Sequence, residues 1–138
     1  MNKIFLDSNI LLYLYAADEI NKNQEIQDLL KKYEHILIST QVLFEFSYIM
    51  HRKLKRNYTD IEMALKEFHE AFDIVLITYD MLQHALKIAT KYRYSFPDSL
   101  IIAAALGSGC NLLFSEDMHN EQIIENSLKL MNPFVQKT

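Results

Sequence analysis

Short apolar runs alternate along the chain with longer segments in which apolar residues recur every three to four positions. The short runs predict strands and cover residues 3–6, 36–39, 73–78, 111–115 and 128–131. The run over residues 73–78 is rich in β-branched residues, which is typical of buried strands. Helical spacing of apolar residues occupies residues 10–15, 23–33, 42–54, 79–92 and 97–106. This alternation of strands and helices predicts an α/β fold, in which a central, mainly parallel sheet is flanked by helices.

Several predicted helices begin at residues that favour capping. Thr40 is a candidate N-cap of the helix over residues 42–54, and Thr59-Asp60-Ile61-Glu62 matches the capping box that opens a further helix. Towards the C-terminus the pattern is weaker, and we expect a short helix around residues 121–125 before the last strand.

Residues 97–106 are apolar on every side after the first turn, which predicts a helix buried in the core. Ser95 stands three residues before Asp98 and is a possible N-cap, while Gly107 and Gly109 are expected to end the helix. An acid at the start of so apolar a helix is a candidate functional residue.

Length and composition indicate one domain spanning residues 1–138. Half of the 138 residues are hydrophobic and 23% are charged, with two glycines and two prolines, so we expect no linker or low-complexity segment. The longest apolar run, residues 100–106, is far shorter than the roughly 20 residues that cross a bilayer, and Asp7 interrupts any signal-peptide core. Cys110 is the single cysteine and lies among apolar residues, which predicts a buried thiol. We therefore expect a cytoplasmic protein without a membrane segment.

Four carboxylates stand where an α/β fold places functional groups. Asp7 and Asp117 each lie just beyond the carboxyl end of a predicted strand, where such sheets bind ligands. Asp98 opens the buried helix, and Glu45 lies in an apolar stretch, where an unpartnered charge is unfavourable. Carboxylates that converge in one crevice repel each other unless hard cations that prefer oxygen ligands lie between them. The pattern indicates a site for Mg²⁺ or Mn²⁺.

Each of these acids also has a purely structural interpretation. Asp7 fits a turn or a helix N-cap, and Asp98 fits the positive end of a helix dipole. Asp117 fits ordinary loop chemistry, and Glu45 fits a salt-bridged core residue. Taken singly these interpretations remain open, but all four acids at such positions are much less expected by chance.

Segments around these acids resemble the motifs of the PIN-domain nucleases, and more closely those of the VapC-like toxins. Residues 5–13 (FLDSNILLY) resemble the family's opening strand and D-[ST]-N turn, and residues 38–45 (ISTQVLFE) resemble its second acidic motif. The third and fourth motifs resemble residues 96–105 (FPDSLIIAAA) and 113–118 (LFSEDM), and the usual ending resembles residues 132–134 (NPF). The resemblance covers nearly the whole chain, with the motifs in the right order at compatible spacings.

The resemblance implies a PIN-like fold and a Mg²⁺-dependent endoribonuclease that is the toxin of a toxin–antitoxin pair and forms a homodimer. RNA and an antitoxin protein are the implied partners. It also implies catalytic and metal-binding roles for Asp7, Glu45, Asp98 and Asp117, and supporting roles for Asn9 and Ser115. Two departures from the family pattern affect loop geometry and substrate choice: no glycine closely follows Asp117, and Pro97 precedes the third acid.

Other functions remain open on the sequence. A PIN-type nuclease that processes RNA without an antitoxin is the nearest alternative. A catalytically silent domain that binds RNA or a protein is another, although the presence of all four acids disfavours it. A phosphatase is disfavoured because residues 7–9 (DSN) lack the second aspartate of an Asp-x-Asp motif, and no phosphate-binding loop suggests an NTPase. The five histidines lack the spacing of a zinc site.

The charge distribution neither requires nor excludes RNA. A formal charge of −4 argues against a nucleic-acid partner, but two bound divalent ions would offset it. Residues 51–56 (HRKLKR) form a basic run, in which Arg52 and Arg56 continue the helical stripe that begins at Glu45. This stripe predicts RNA binding by Arg52 and Arg56, with a solvated basic helix end as the open alternative. Most tyrosines and phenylalanines fall at core spacings and add little to this prediction.

Overall fold

The computed structural model describes residues 2–15 and 19–135, within which six strands form one sheet. The strands are β1 (Lys3–Leu6), β2 (His35–Ser39), β3 (Asp73–Val75), β4 (Leu112–Phe114), β5 (Ile123–Ile124) and β6 (Leu128–Met131). Their order across the sheet is β3-β2-β1-β4-β6-β5, and neighbouring strands are parallel except for β5 and β6. The predicted α/β fold with a mainly parallel sheet is therefore confirmed.

Six helices within the described residues flank this sheet. They are α1 (Ser8–Tyr13), α2 (Ile20–Leu30), α3 (Thr40–Arg52), α4 (Tyr58–Ala71), α5 (Tyr79–Tyr92) and α6 (Phe96–Gly107). Because parallel crossovers are right-handed, α1 to α4 cover one face and α5 with α6 cover the other, in agreement with the α1–α3, α3–α4 and α5–α6 contacts. None of these helices is both long and apolar enough to span a bilayer.

Strand β1 forms the centre of the core. Its residues Ile4, Phe5 and Leu6 are fully buried, because β2 and β4 pair with its two edges and helices cover both faces of the sheet. Cys110 is also buried, as predicted. The residue that follows β1, Asp7, is therefore held at the end of the most constrained strand.

Helix α6 is buried over residues 99–105, as its continuous apolar sequence predicts. The Ser95 side chain caps its start by accepting the backbone N–H of Asp98 at 3.3 Å. The helix ends at Gly107, and Gly109 has a φ of 77°, which is a left-handed conformation that other residues rarely adopt. The buried body of α6 thus fixes Asp98 at its amino-terminal end.

The chain changes direction at β1, and this reversal creates a crevice. From β1 the strands proceed to β2 and β3 on one side, whereas β4 pairs with the opposite edge of β1. Open α/β sheets bind ligands beyond the carboxyl ends of the strands at such a reversal. Here the segments that follow β1 and β4 start side by side, since the backbone N–H of Asp7 donates to the carbonyl oxygen of Phe114 at 3.0 Å.

Two of the predicted helix caps are wrong by one or two positions. Ser39, not Thr40, caps α3 by accepting the N–H of Val42 at 3.2 Å. Asn57, not the Thr59 capping box, caps α4 by accepting the N–H of Asp60 at 2.8 Å. At each helix start, the predicted residue and the observed residue both have side chains that can cap a helix. The backbone conformation decides which of the two does so.

The short helix predicted around residues 121–125 is also wrong. Residues Ile123–Ile124 form β5, which pairs antiparallel with β6. Glu121 and Glu125 flank β5 with φ values of 71° and 51°, which are incompatible with a right-handed helix. Pairing with β6 therefore overrides the weak helical pattern.

Other boundaries differ by two or three residues. Helices α2 and α3 begin before the predicted residues 23–33 and 42–54, at Ile20 and Thr40. The strand predicted over residues 73–78 ends at Val75. Strand β3 lies at the edge of the sheet with β2 as its one strand neighbour, so fewer backbone hydrogen bonds extend it.

Candidate active site

The four acids singled out in the sequence line one pocket of about 260 Å³. Asp7 follows β1, Asp117 lies in the loop after β4, Asp98 lies in the first turn of α6, and Glu45 lies in the second turn of α3. Four elements of the chain therefore bring these carboxylates together. Ser8, Phe44, Tyr48 and Ile49 complete the lining.

Asp7 is the most buried of the four acids, with 3% of its surface exposed. One carboxylate oxygen, Oδ1, accepts the backbone N–H of Ser8 at 2.7 Å and so caps α1. The other, Oδ2, accepts the hydroxyl of Ser115 at 2.7 Å. The capping interpretation of Asp7 is thus correct for one oxygen, while its burial beside other acids lies beyond what a cap requires.

Asn9 and Ser115 connect the loops that carry Asp7 and Asp117. The Asn9 amide Nδ2 donates to Asp117 Oδ2 at 3.0 Å and lies 3.5 Å from Asp7 Oδ2. Ser115 Oγ donates to Asp7 and accepts the backbone N–H of Asp117 at 3.2 Å. Both side chains contact the acids, which is the arrangement expected of supporting residues.

Two further side chains, which the sequence reasoning did not select, hold Glu45. Ser8 Oγ donates to Glu45 Oε1 at 3.1 Å, and Gln41 Nε2 donates to Glu45 Oε2 at 3.3 Å. Gln41 Nε2 also donates to the carbonyl oxygen of Pro97 at 2.8 Å, which joins α3 to the start of α6. Their sequence signals were the D-[ST]-N turn for Ser8 and the i, i+4 spacing between Gln41 and Glu45.

The loop that carries Asp117 is fixed by its neighbour Glu116. The Tyr13 hydroxyl donates to the Glu116 carboxylate at 2.9 Å, and Lys22 Nζ lies 3.1 Å from the same group. Asn132 Nδ2 donates to the backbone carbonyl of Glu116 at 3.3 Å. The loop is therefore tied to α1, α2 and the C-terminal segment, while Asp117 faces the pocket.

Burial and mutual repulsion raise the pKa values of three of the acids. Burial raises the pKa of Asp7 to about 7, with smaller contributions from the charges of Asp98 and Glu45, against hydrogen bonds from Ser115 and Ser8. Burial, and then the charge of Asp98, raises the pKa of Glu45. Burial raises the pKa of Asp98 as well, and the charge of Asp117 adds to that effect. The pocket therefore holds negative charge at an energetic cost.

A divalent cation would relieve this repulsion. Among the described residues, the ion pairs we find join other side chains, and none involves the four acids. Within the described ranges, no three His, Cys, Asp or Glu side chains are arranged closely enough to hold a metal ion by themselves. Mg²⁺ commonly binds through one or two carboxylates while keeping several waters, so an open set of oxygen donors fits it.

Arg52 and Arg56 lie outside the acid pocket, in a neighbouring groove. Arg52 is the last residue of α3, whereas Arg56 lies beyond the helix end, after Lys55 with a left-handed φ of 56°. The prediction that one continuous helical stripe carries both arginines from Glu45 is therefore wrong for Arg56. The turn nevertheless returns Arg56 to the groove that Arg52 lines.

Comparisons with known proteins agree with this fold. A family model described as PIN domain matches residues 4–123. A comparison with curated proteins gave no match. Among solved structures, a toxin–antitoxin complex from Klebsiella pneumoniae is 18% identical with a TM-score of 0.71, and the match covers 96% of this chain and 98% of that chain.

Two further solved structures have the same fold. DNA-bound VapBC from Salmonella typhimurium is 16% identical with a TM-score of 0.72, covering 96% of this chain and 99% of that chain. VapC20 from Mycobacterium tuberculosis is described as a sarcin-ricin loop cleaving toxin. It is 18% identical with a TM-score of 0.68, and the match covers 80% of this chain and 87% of that chain. At these identities the likeness establishes a shared fold.

Proposed function

Since the chain belongs to the PIN domain family of nucleases, we propose that it is a Mg²⁺- or Mn²⁺-dependent endoribonuclease. The observation that carries this proposal is the pocket in which Asp7, Glu45, Asp98 and Asp117 converge without a protein cation among its lining residues. RNA as the substrate is supported by the motif resemblance and by the description of VapC20 as a sarcin-ricin loop cleaving toxin.

In this proposal the four carboxylates hold the divalent ions. When bound, such ions lower the pKa of an attacking water and stabilise charge on the phosphoryl oxygens. Ser115 and Asn9 orient Asp7 and Asp117, and Ser8 and Gln41 orient Glu45, so that the oxygens are positioned before any ion arrives. The proton that a raised pKa retains on Asp7 has to leave before its oxygens can act as ligands, which makes metal binding depend on pH.

Cleavage of a defined strand tests the proposed substrate. We expect the protein with Mg²⁺ to cut an end-labelled single-stranded RNA at internal positions and to leave DNA of the same sequence uncut. Equal cleavage of both strands would refute the preference for RNA. Absence of cleavage in both would refute the nuclease assignment, and would favour the catalytically silent alternative.

Metal binding by the pocket is testable without catalysis. An ion that binds only the folded protein stabilises it, and at a hundredfold excess over its Kd the gain is about 2.7 kcal/mol, or about 10 °C in Tm. We expect Mg²⁺ or Mn²⁺ to produce such a rise at pH 8 in a thermal melt, and Asp98→Asn to reduce it. The exposed Asp73→Asn is the matched control and should respond like wild type. An equal rise in Asp98→Asn would place the ion elsewhere.

We further propose that the chain is the toxin of a toxin–antitoxin pair and forms a homodimer. The antitoxin is supported by the Klebsiella structure, which is a toxin–antitoxin complex by its description. A nearby reading frame that encodes a small DNA-binding protein would support this role over RNA processing without an antitoxin. Co-purification of the two proteins would test the pairing.

Exposed apolar residues on α5 and in the loop before it are our candidate for the homodimer contact. Leu76, Tyr79 and Leu86 are 69%, 70% and 54% exposed, and Leu82 lies beside them at 37%. Sedimentation velocity should detect a wild-type dimer that Leu86→Glu weakens at least about tenfold, because a buried charge would lack a partner. Asn21→Glu adds the same charge on exposed α2 and should leave the dimer intact. A monomeric wild type would contradict the dimer.

A further inference from the structure

A second groove, of about 900 Å³, opens directly beside the acid pocket. Phe44 and Tyr48 line both spaces, so the two adjoin at these residues. The groove runs along the end of α3 towards the start of α4. Its charged lining consists of Arg52, Lys55 and Arg56, with His51 alongside, and includes no carboxylate.

One wall of this groove is a column of planar groups on α3. Phe44 and Tyr48, one helical turn apart, have ring centroids 6.2 Å apart and planes inclined by 23°. The Arg52 guanidinium lies 5.9 Å from the Tyr48 centroid, one further turn along the helix. Phe44 is 70% exposed and Tyr48 54% exposed, which corrects the expectation that such rings belong to the core. We call these three residues the stacking column.

A second stacked pair also lines this groove. The rings of His51 and Tyr58 lie 4.2 Å apart at an angle of 21°. The backbone N–H of Arg56 donates to the carbonyl of Met50 at 3.0 Å, while the left-handed Lys55 turns the chain. These contacts keep the cations of residues 55–56 beside the stacking column.

The charge of the groove indicates an anionic occupant. The chain carries a formal charge of −4, yet Arg52, Lys55 and Arg56 collect here without acids among the lining residues. In the described part of the chain, the ion pairs we find do not involve these cations. A second copy docked on this groove would bring like charges together, which disfavours a self-contact.

We propose that this groove is a base-binding subsite, in which an unpaired base of the RNA substrate stacks on Phe44 and Tyr48 while its backbone phosphates lie along Arg52, Lys55 and Arg56. The inference rests on the nuclease function proposed above and assigns the residues that hold the substrate's base and phosphates. Every base has a π-face that stacks on exposed aromatic rings, and cationic grooves track the backbone. Bases in a duplex are already stacked on their neighbours, so a duplex cannot present a free base to the column.

The stacking column is tested by RNA binding in the non-cleaving Asp7→Asn background. Tyr48→Leu removes the ring but keeps an apolar side chain, and we expect it to weaken binding of labelled oligouridylate about five- to a hundredfold. The dependence of log K on log [salt] should stay the same, since no phosphate contact is lost. Ile123→Ala, which truncates an apolar side chain that is 50% exposed on β5, is the control and should bind like the background protein.

The basic side chains of the groove are expected to change the salt dependence of RNA binding, which the aromatic rings do not. Replacing Arg52 and Arg56 with Gln should weaken binding and reduce the salt slope by about 0.7 for each lost single-strand phosphate contact. Lys87→Gln removes an exposed charge on α5 and serves as the control. An unchanged affinity and slope in the folded double variant would overturn the assignment of these arginines.

Comparison with a duplex completes the test. An RNA duplex should bind more weakly, and Tyr48→Leu should not weaken it further. Equal affinity for strand and duplex, or oligouridylate binding unaffected by Tyr48→Leu, would overturn the proposal.

A shift in sedimentation of Tyr48→Leu with unchanged RNA affinity would also overturn it, because the column would then be a protein interface. Failure of wild type to cut RNA, with Tyr48-dependent binding intact, would reject the nuclease function and leave the strand-binding groove supported.

Discussion

Asp7→Asn is expected to lower the single-turnover rate of RNA cleavage on the order of a thousandfold while the protein stays folded. The change removes the charge of a carboxylate that is 3% exposed at the centre of the acid pocket. Asparagine still caps a helix, so the start of α1 should persist. Loss of cleavage would then report the missing metal ligand and not a missing fold.

The control for this prediction is Asp73→Asn, an exposed aspartate at the start of β3, which should cleave like wild type. Circular dichroism of each variant should match wild type. A folded Asp7→Asn protein that cleaves RNA at the wild-type rate would show that Asp7 takes no part in the reaction.

The metal-free protein is expected to lose stability as the pH rises from about 4 to about 7. Burial raises the pKa of Asp7 from 3.8 to about 7, so the folded state binds this proton more tightly than the unfolded state. The resulting stability is fully present below pH 3.8 and is lost as the pH rises through 7, with a slope of up to about 1.4 kcal/mol per pH unit. The raised pKa values of Glu45 and Asp98 act in the same direction.

Urea denaturation in EDTA between pH 5 and pH 8 measures this effect. The difference between wild type and Asp7→Asn isolates Asp7 from all other titrating groups. We expect Asp7→Asn to be more stable than wild type by up to about 4 kcal/mol at pH 8, and the gap to shrink as the pH falls. If the free energies of unfolding of the two proteins changed equally with pH, Asp7 could not have the raised pKa that its burial predicts.

The positions of the four acids were predictable because each belongs to an element with a strong local signal. Asp7 follows a continuous apolar strand, and Asp98 opens a helix that is apolar on every side. A parallel sheet places the ends of its strands on one edge, so Asp7 and Asp117 become neighbours whatever the details of the loops. Both bounds of α5 were also predicted, because its amphipathic pattern is long and regular.

The contacts within the site were not predictable in the same way. Ser8 and Gln41 reach Glu45 through side-chain geometry that depends on how α1, α3 and α6 pack together. The exposure of Phe44 and Tyr48 likewise depends on which helix face the sheet covers. Local periodicity identifies amphipathic segments, but it does not say which partner covers each face.

The C-terminal hairpin shows the same limit of local pattern. Residues around Ile123 and Ile124 are too short a run to favour a strand, and charged neighbours suggest a helix. Pairing with β6 decides the outcome, and Glu121 and Glu125 adopt left-handed conformations to permit it. The structure of this segment therefore follows from long-range pairing.

The most direct test of the account is the rate of RNA cleavage by chelator-treated wild-type protein as Mg²⁺ is added back. We expect no cleavage in EDTA, and a rate that rises and saturates with Mg²⁺. The products should lack 2′,3′-cyclic phosphates, because water and not the ribose 2′-hydroxyl attacks the phosphorus. Undiminished cleavage in EDTA, or cyclic phosphate ends in Mg²⁺, would contradict hydrolysis by a carboxylate-held metal.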